Sequence, residues 1–229
     1  MPEQTHRSLS HFTFCRFSEA FYSLSSNDRE KFLTDWWDGL SVTTSKVDIY
    51  QVYPAHADAD ILVWSAADME GRDRASLFFT AHARQVNPHR HLIQPVQTLW
   101  GFTRPSEYTK TRSTQEIDPF ATERKPYLVI YPFVKTTEWY LMSREARQGM
   151  MNEHIRIGKQ FPEITQLLLY SFGLQDQEFI VVYETDDLTH FSDLVYELRS
   201  SEARRYTLRD TPVFTAIYHS PQETLALWG

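Results

Sequence analysis

Hydrophobic and polar positions change period several times along the chain, and each change marks an element. Bulky side chains alternate with small or polar ones at 11 to 17 (HFTFCRF), as in a strand. A helix follows, with Asn27 or Asp28 as its cap and Phe32, Leu33, Trp36, Trp37 and Leu40 among its apolar positions. Strands at 47 to 53 and 60 to 65 flank a turn at 54 to 58. A second helix is predicted over 68 to 86 and a strand over 93 to 102. Residues 104 to 125 are polar, hold Pro105 and Pro119 and keep no period, which predicts a linker or an active-site loop.

The order then repeats. A strand at 126 to 134 puts Tyr127, Val129, Tyr131 and Phe133 on one face and Leu128 and Ile130 on the other. A helix at 143 to 160, strands at 165 to 172 and 178 to 184, a helix at 187 to 201 and a strand at 211 to 218 complete the half. Each half reads β-α-β-β-α-β, the order of a ferredoxin-like unit. Such sheets carry helices on one face and leave the other to pack against a second sheet. The prediction is therefore an α+β fold of two tandem ferredoxin-like halves, 1 to 103 and 126 to 229, joined by 104 to 125 into an α+β barrel of the dimeric type.

The helix at 143 to 160 carries the first candidate for chemistry. Ser143 is placed to cap it, with Glu145 near the positive end of the helix dipole. Ala146, Met150, His154, Ile157 and Phe161 form one stripe at helical spacing, with His154 in its middle. A buried histidine needs a partner for its ring nitrogens, because leaving one unpaired costs roughly 1–3 kcal/mol. It is either a core histidine satisfied by a carbonyl or water, or an axial ligand to haem iron. Spacing leaves both open.

Composition narrows the class without choosing a function. The 229 residues are 41% hydrophobic and 14% aromatic, with six Trp, twelve Tyr and fifteen Phe, and carry a net charge of -7. That suits an ordinary globular core or one enclosing a flat ring, and the acidic balance argues against a nucleic-acid partner. A single cysteine, Cys15, excludes an internal disulfide and lies in a strand pattern that suggests packing. No apolar run is long enough for a membrane span, and MPEQTHRSLS lacks a signal-peptide core, so the expected location is cytoplasmic. His82, His89 and His91 are a weak metal candidate: extended, His89 and His91 point to opposite faces, and no acidic ligand is set beside them.

Several blocks, in order, resemble the chlorite dismutase family, which includes the coproheme decarboxylases: Tyr131 to Lys135 (YPFVK), Glu138 to Leu141 (EWYL), Met150 to His154 (MMNEH) with Gly158, Ser171 to Leu174 (SFGL), and Glu178-Phe179. The resemblance implies that His154 is the proximal haem ligand and that Tyr131 lies beside a reactive propionate and is oxidised to a radical. The alternative for Tyr131 is a strand tyrosine with a wet hydroxyl. The resemblance also places Gln166 on the distal side, where chlorite dismutases have an arginine; a neutral amide offers no fixed charge to an oxyanion. By the same likeness Lys135 lies near a propionate, Trp139 and Tyr140 line the pocket, and Glu202 accepts a hydrogen bond from the proximal imidazole. Arg204, Arg205 and Arg209 are a further basic patch that could help, though such a run is more often a solvated helix end.

Actinobacterial coproheme decarboxylases, which the first two blocks resemble most, carry a distal histidine before the Tyr131 strand; here 109 to 126 has none. The expected activity is conversion of iron coproporphyrin III (coproheme) to haem b, with hydrogen peroxide as oxidant and two propionates decarboxylated. The expected assembly is a homopentamer. Chlorite dismutation, and a non-catalytic haem carrier or sensor, are the alternative readings.

Overall fold

The two faces of each strand have separate destinations, and this division builds the molecule. In the computed structural model, which describes residues 7–108 and 113–229, the first half runs β1 (Ser8–Phe17), α1 (Glu19–Tyr22), α2 (Ser26–Ser41), β2 (Lys46–Gln51), β3 (Ile61–Asp68), α3 (Arg74–Val86) and β4 (Ile93–Phe102). The second runs β5 (Tyr127–Lys135), α4 (Thr137–Leu141), α5 (Arg144–Gly158), β6 (Thr165–Tyr170), β7 (Phe179–Thr185), α6 (Leu188–Arg199), β8 (Thr207–Arg209), β9 (Phe214–Tyr218) and α7 (Pro221–Ala226). Among the described residues no helix is long and apolar enough to cross a membrane.

The strands order as β4-β1-β3-β2 in the first half and β6-β7-β5-β9 in the second, all antiparallel, which is the ferredoxin-like order twice. Two short seams join them: Phe102 opposite Tyr170 between β4 and β6, and Tyr50 opposite Tyr218 with Gln51 opposite Ile217 between β2 and β9. Each seam pairs the last of the four main strands of one half with the second of the other, so an approximate twofold axis relates the halves. The sheet closes because β5 also pairs β7. Inward side chains such as Phe12, Phe14, Trp64, Leu128, Leu169 and Ile180 fill the barrel and are 0–1% exposed. Outward side chains meet the helices.

The helices treat the two outer faces differently. Leu33, Trp36 and Leu40 of α2 are at most 2% exposed against Phe17, Ile49 and Val63. In α5, the equivalent helix of the second half, Ile157 is the buried residue. The expected stripe is thus buried only at its end, through Ile157 and Phe161; Ala146 is exposed and His154 half-buried. Its other turns face open space beside the sheet, and that space is the candidate site.

Some element bounds moved for local reasons. Ser25, not Asn27 or Asp28, caps α2, its hydroxyl accepting from the Asp28 N–H. The helix expected from 68 starts at Arg74, because Gly71 (φ 99°) and Asp73 (φ 65°) adopt left-handed backbone. The strand expected from 211 starts at Phe214, past Pro212, which has no N–H to pair. The segment 104 to 125 is described except for 109–112, where part of the stretch without histidine lies outside the described residues.

Candidate functional site

A cavity of about 1550 Å³ opens on the outer face of β5, β6 and β7, larger than the roughly 300–1,000 Å³ usual for small-molecule sites. Its floor is the outward row of each strand, including Tyr131, Phe133, Gln166, Tyr170, Phe179 and Tyr183. One wall is α5, through Arg147, Met151, His154, Ile155 and Gly158; another is α6, through Leu194, Leu198 and Arg199. Leu168 and Phe172 are 37% and 42% exposed because they face this space. Tyr131, Lys135, Trp139, Tyr140, His154 and Gln166 all line it.

Ser143 caps α5 by accepting from the Ala146 N–H at 3.2 Å, and three turns later His154 faces the cavity. Burial, then the nearby charge of Lys135, lowers the His154 pKa to about 4 against the opposing pull of Glu153. The ring is therefore neutral at pH 7 and keeps a nitrogen lone pair for a metal.

Lys135 stands beside it. Its amine donates to the Ala203 carbonyl and the Thr207 hydroxyl, each at 3.2 Å, and lies 4.6 Å from the centre of the Trp139 ring. Burial and Arg204 bring its pKa down to about 8. Trp139 is 3% exposed and closes the wall. The Tyr140 hydroxyl donates to the Glu178 carboxylate, which also accepts from the Lys135 N–H at 2.8 Å. Burial first, and then Glu178, raise the Tyr140 pKa.

Glu202 sits differently from its expected place. Its carboxylate is 61% exposed, lies 3.3 Å from Arg205 and does not line the cavity, while its backbone N–H donates to Glu153 at 3.0 Å. The charged groups acting on the His154 ring are Lys135 and Glu153. The basic patch also divides: Arg204 reaches the cavity, paired with Asp210 at 2.8 Å, whereas Arg205 pairs Glu202 and Arg209 donates to the Asp176 carbonyl. His82 meets the Thr13 hydroxyl at 3.2 Å in the core and His89 packs edge-on against Phe32, so these histidines serve separate contacts.

The segment expected to be a linker or loop becomes a wall of the site. Glu116 bridges Gln166 in parallel, Ile117 is buried, and the Gln115 amide donates to the carbonyls of Gly158, Phe161 and Ile164 at the end of α5. Arg124 anchors its far end: a fully buried guanidinium 2.9 Å from Asp48 and 4.3 Å from the Trp64 ring centre, donating to the carbonyls of Asp118 and Pro119. Gln115 and Arg124 carry no sequence signal, since each is a single polar side chain in a polar run.

Among the described lining residues the cations Arg104, Lys135, Arg147, Lys159, Arg199 and Arg204 outnumber the carboxylates Glu107, Glu116, Asp118 and Asp210. In a chain of net charge -7 that is a local reversal of sign. A large aromatic floor, a neutral imidazole in the wall and surplus cations could hold a large, flat, anionic ligand that carries a metal atom.

Comparison with known proteins agrees on the class. The chlorite dismutase family model matches residues 23–219, and the chain belongs to that family. The coproheme decarboxylase of Mycolicibacterium smegmatis is 31% identical over 181 residues, 78% of this chain and 75% of that one. A protein of Halobacterium salinarum named for heme binding is 34% identical over 83% of this chain, which spans 44% of that longer protein. A chlorite dismutase double variant from Candidatus Nitrospira defluvii shares the fold with a TM-score of 0.82 at 21% identity, over 96% of this chain and 95% of that one.

Proposed function

We propose that this chain is a coproheme decarboxylase, taking iron coproporphyrin III to haem b with hydrogen peroxide. One observation carries the reading: an imidazole, His154, and a phenol, Tyr131, share one large aromatic cavity in which cations outnumber carboxylates. The 31% identical relative of that name supports it.

The residues present fit the porphyrin. His154, held neutral, would ligate its iron, and Phe133, Leu168 and Phe179 would supply apolar contact to the ring. Its four propionates need charge-assisted partners, and Lys135, Arg147, Arg199 and Arg204 lie in the same lining. When bound, the iron would activate peroxide, which is the two-electron oxidant. For each of two propionates, carbon dioxide, one proton and two electrons leave as the side chain becomes a vinyl; one peroxide takes those electrons, with two protons, and becomes two waters.

Tyr131 remains a protonated phenol, because burial raises its pKa, and so it has a hydrogen atom to give and regain. Gln166 presents a neutral amide that can hydrogen-bond peroxide without fixing a charge. This disfavours chlorite turnover. Trp139 and Tyr140 hold the wall, the first on Lys135 and the second on Glu178.

The test is to load the protein with iron coproporphyrin, add peroxide in steps and follow the porphyrin by mass. Stepwise loss of two carboxyl groups, abolished in Tyr131→Phe, is the expected result. Binding through His154 with unchanged mass leaves a carrier or sensor instead. The solution mass of the same sample checks the proposed pentamer.

A further inference from the structure

We propose that Arg147 binds one of the two propionates that the product keeps, and so fixes which edge of the porphyrin turns toward Tyr131. The identity of the ligand rests on the decarboxylase reading, and the test below separates the two.

The cations of the cavity are not equally free. Arg199 and Arg204 both reach Asp210, at 2.6 and 2.8 Å. The Lys135 amine donates to the Ala203 carbonyl and the Thr207 hydroxyl, and Arg104 lies 5.1 Å from the centre of the Tyr170 ring. Lys159 is exposed. Arg147 is half-buried in the wall, and among the described residues its guanidinium has no hydrogen-bond partner and no ion pair; its Nε is closed off from water as well. Leaving a buried N–H unpaired costs about 1–3 kcal/mol, and more on a charged group. A carboxylate facing the two terminal amino groups would neutralise the cation and match the fork geometry of the guanidinium.

Strand register and helix direction place Arg147. At one end of the cavity floor Phe133 lies opposite Phe179, and Phe179 opposite Tyr170. Tyr140 is tied to that end through Glu178, the residue before Phe179, and α5 begins four residues after Tyr140. At the other end of the helix, Ile157 and Phe161 pack with Val129, Val181 and Tyr183. The helix therefore runs along the floor, with Arg147 near the Phe179 end and His154 two turns, about 10 Å, farther along. Gln148, the neighbour of Arg147, donates to the Tyr108 carbonyl at 3.2 Å. Burial raises the pKa values of Tyr108 and Tyr140, and the charge of Arg147 opposes the rise in both, as its place beside them requires.

Tyr131 lies opposite Val181, two residues from Phe133 toward the Tyr183 end. A carboxylate held at Arg147 is therefore not at the phenol. The propionates that react are the others, and the one at Arg147 stays on the ring.

Arg147→Gln removes the charge and keeps a long polar side chain on the helix. Iron coproporphyrin, haem b and the tetramethyl ester of iron coproporphyrin are each titrated into parent and variant and followed by absorbance. Affinity should fall about tenfold for the first two, by the same factor, and stay unchanged for the ester, which has the ring and iron but no carboxylate. An equal loss for the ester would mean that the wall has only shifted, and no loss for any would mean that no carboxylate meets Arg147; either overturns the proposal. A loss confined to iron coproporphyrin would put a reacting propionate there and overturns it too. If the variant does not fold, the parent decides: the Arg147 guanidinium N–H resonances should move on binding zinc coproporphyrin more than on binding its tetramethyl ester, and equal movement sinks the assignment. A parent that binds none of these porphyrins removes the decarboxylase reading and this assignment with it. A parent that binds them without turnover removes the decarboxylase reading alone, and the same titrations still judge Arg147.

Discussion

Two buried histidines show how single residues set conditions for the whole chain. His11 and His82 share the Thr13 hydroxyl at 3.2 Å each, with ring centroids 5.0 Å apart. Burial, joined for His11 by the charge of His82, lowers their pKa values from 6.5 to about 3 and about 4. The unfolded chain therefore binds protons below pH 6.5 that the folded chain refuses. The stability due to the neutral rings is complete above pH 6.5 and drains away as pH falls toward 4. Replacing His82 with Met should flatten that acid limb by on the order of 2 kcal/mol, read from urea unfolding at pH 7 and pH 4.5. A slope equal to that of the parent would show that His82 carries no linkage. Legibility also divides at this scale. That His154, Tyr131 and Gln166 line one cavity could be read from residue type, face and block resemblance, whereas the outward turn of Glu202 could not, because its N–H donates to Glu153 and its carboxylate lies against Arg205. Arg147 and Arg199 carry no signal in the sequence, and only helix orientation against the sheet puts them in the cavity.

At the scale of elements, α5 must present His154 while most of its inner face lies against open space. Core packing holds such a helix weakly, so its end is fastened by hydrogen bonds. Gln115 supplies them, one amide within 2.9–3.2 Å of the carbonyls of Gly158 at the helix end and of Phe161 and Ile164 just beyond it. Gln115→Ala should cost about 1–3 kcal/mol in denaturant unfolding. It should also weaken porphyrin binding measured by absorbance, because the helix bearing the iron ligand loosens. Loss of stability with unchanged affinity would separate the cap from the site. The longer elements were legible because several periods of apolar residues mark each one: 93 to 102 is the strand β4. Elements α4, β8 and α7 have five, three and six residues, too short to show a period.

At the scale of the molecule, duplication explains why there is a cavity at all. Both halves place two helices on an outer face, but α2 fills its face with Leu33, Trp36 and Leu40, and α5 leaves its own open. The repeated β-α-β-β-α-β order was legible; the difference in filling was not, since it depends on the depth at which each helix sits. Closure of the barrel depends on two short seams, and one of them has a strict steric requirement. A Cβ on Gly101 would lie 2.9 Å from the Tyr170 carbonyl and 2.7 Å from the Ser171 hydroxyl, which itself donates to the Trp100 carbonyl at 2.6 Å. Backbone cannot yield as a side-chain tip can, so Gly101→Ala must part β4 from β6 where Phe102 faces Tyr170. The expected loss is about 1–3 kcal/mol in thermal unfolding. Because Tyr170 belongs to the cavity floor, porphyrin binding should weaken in the same variant even at temperatures where it is fully folded. A variant as stable as the parent would mean that this seam is slack, and the two halves would then be held by the β2–β9 seam and the shared barrel core.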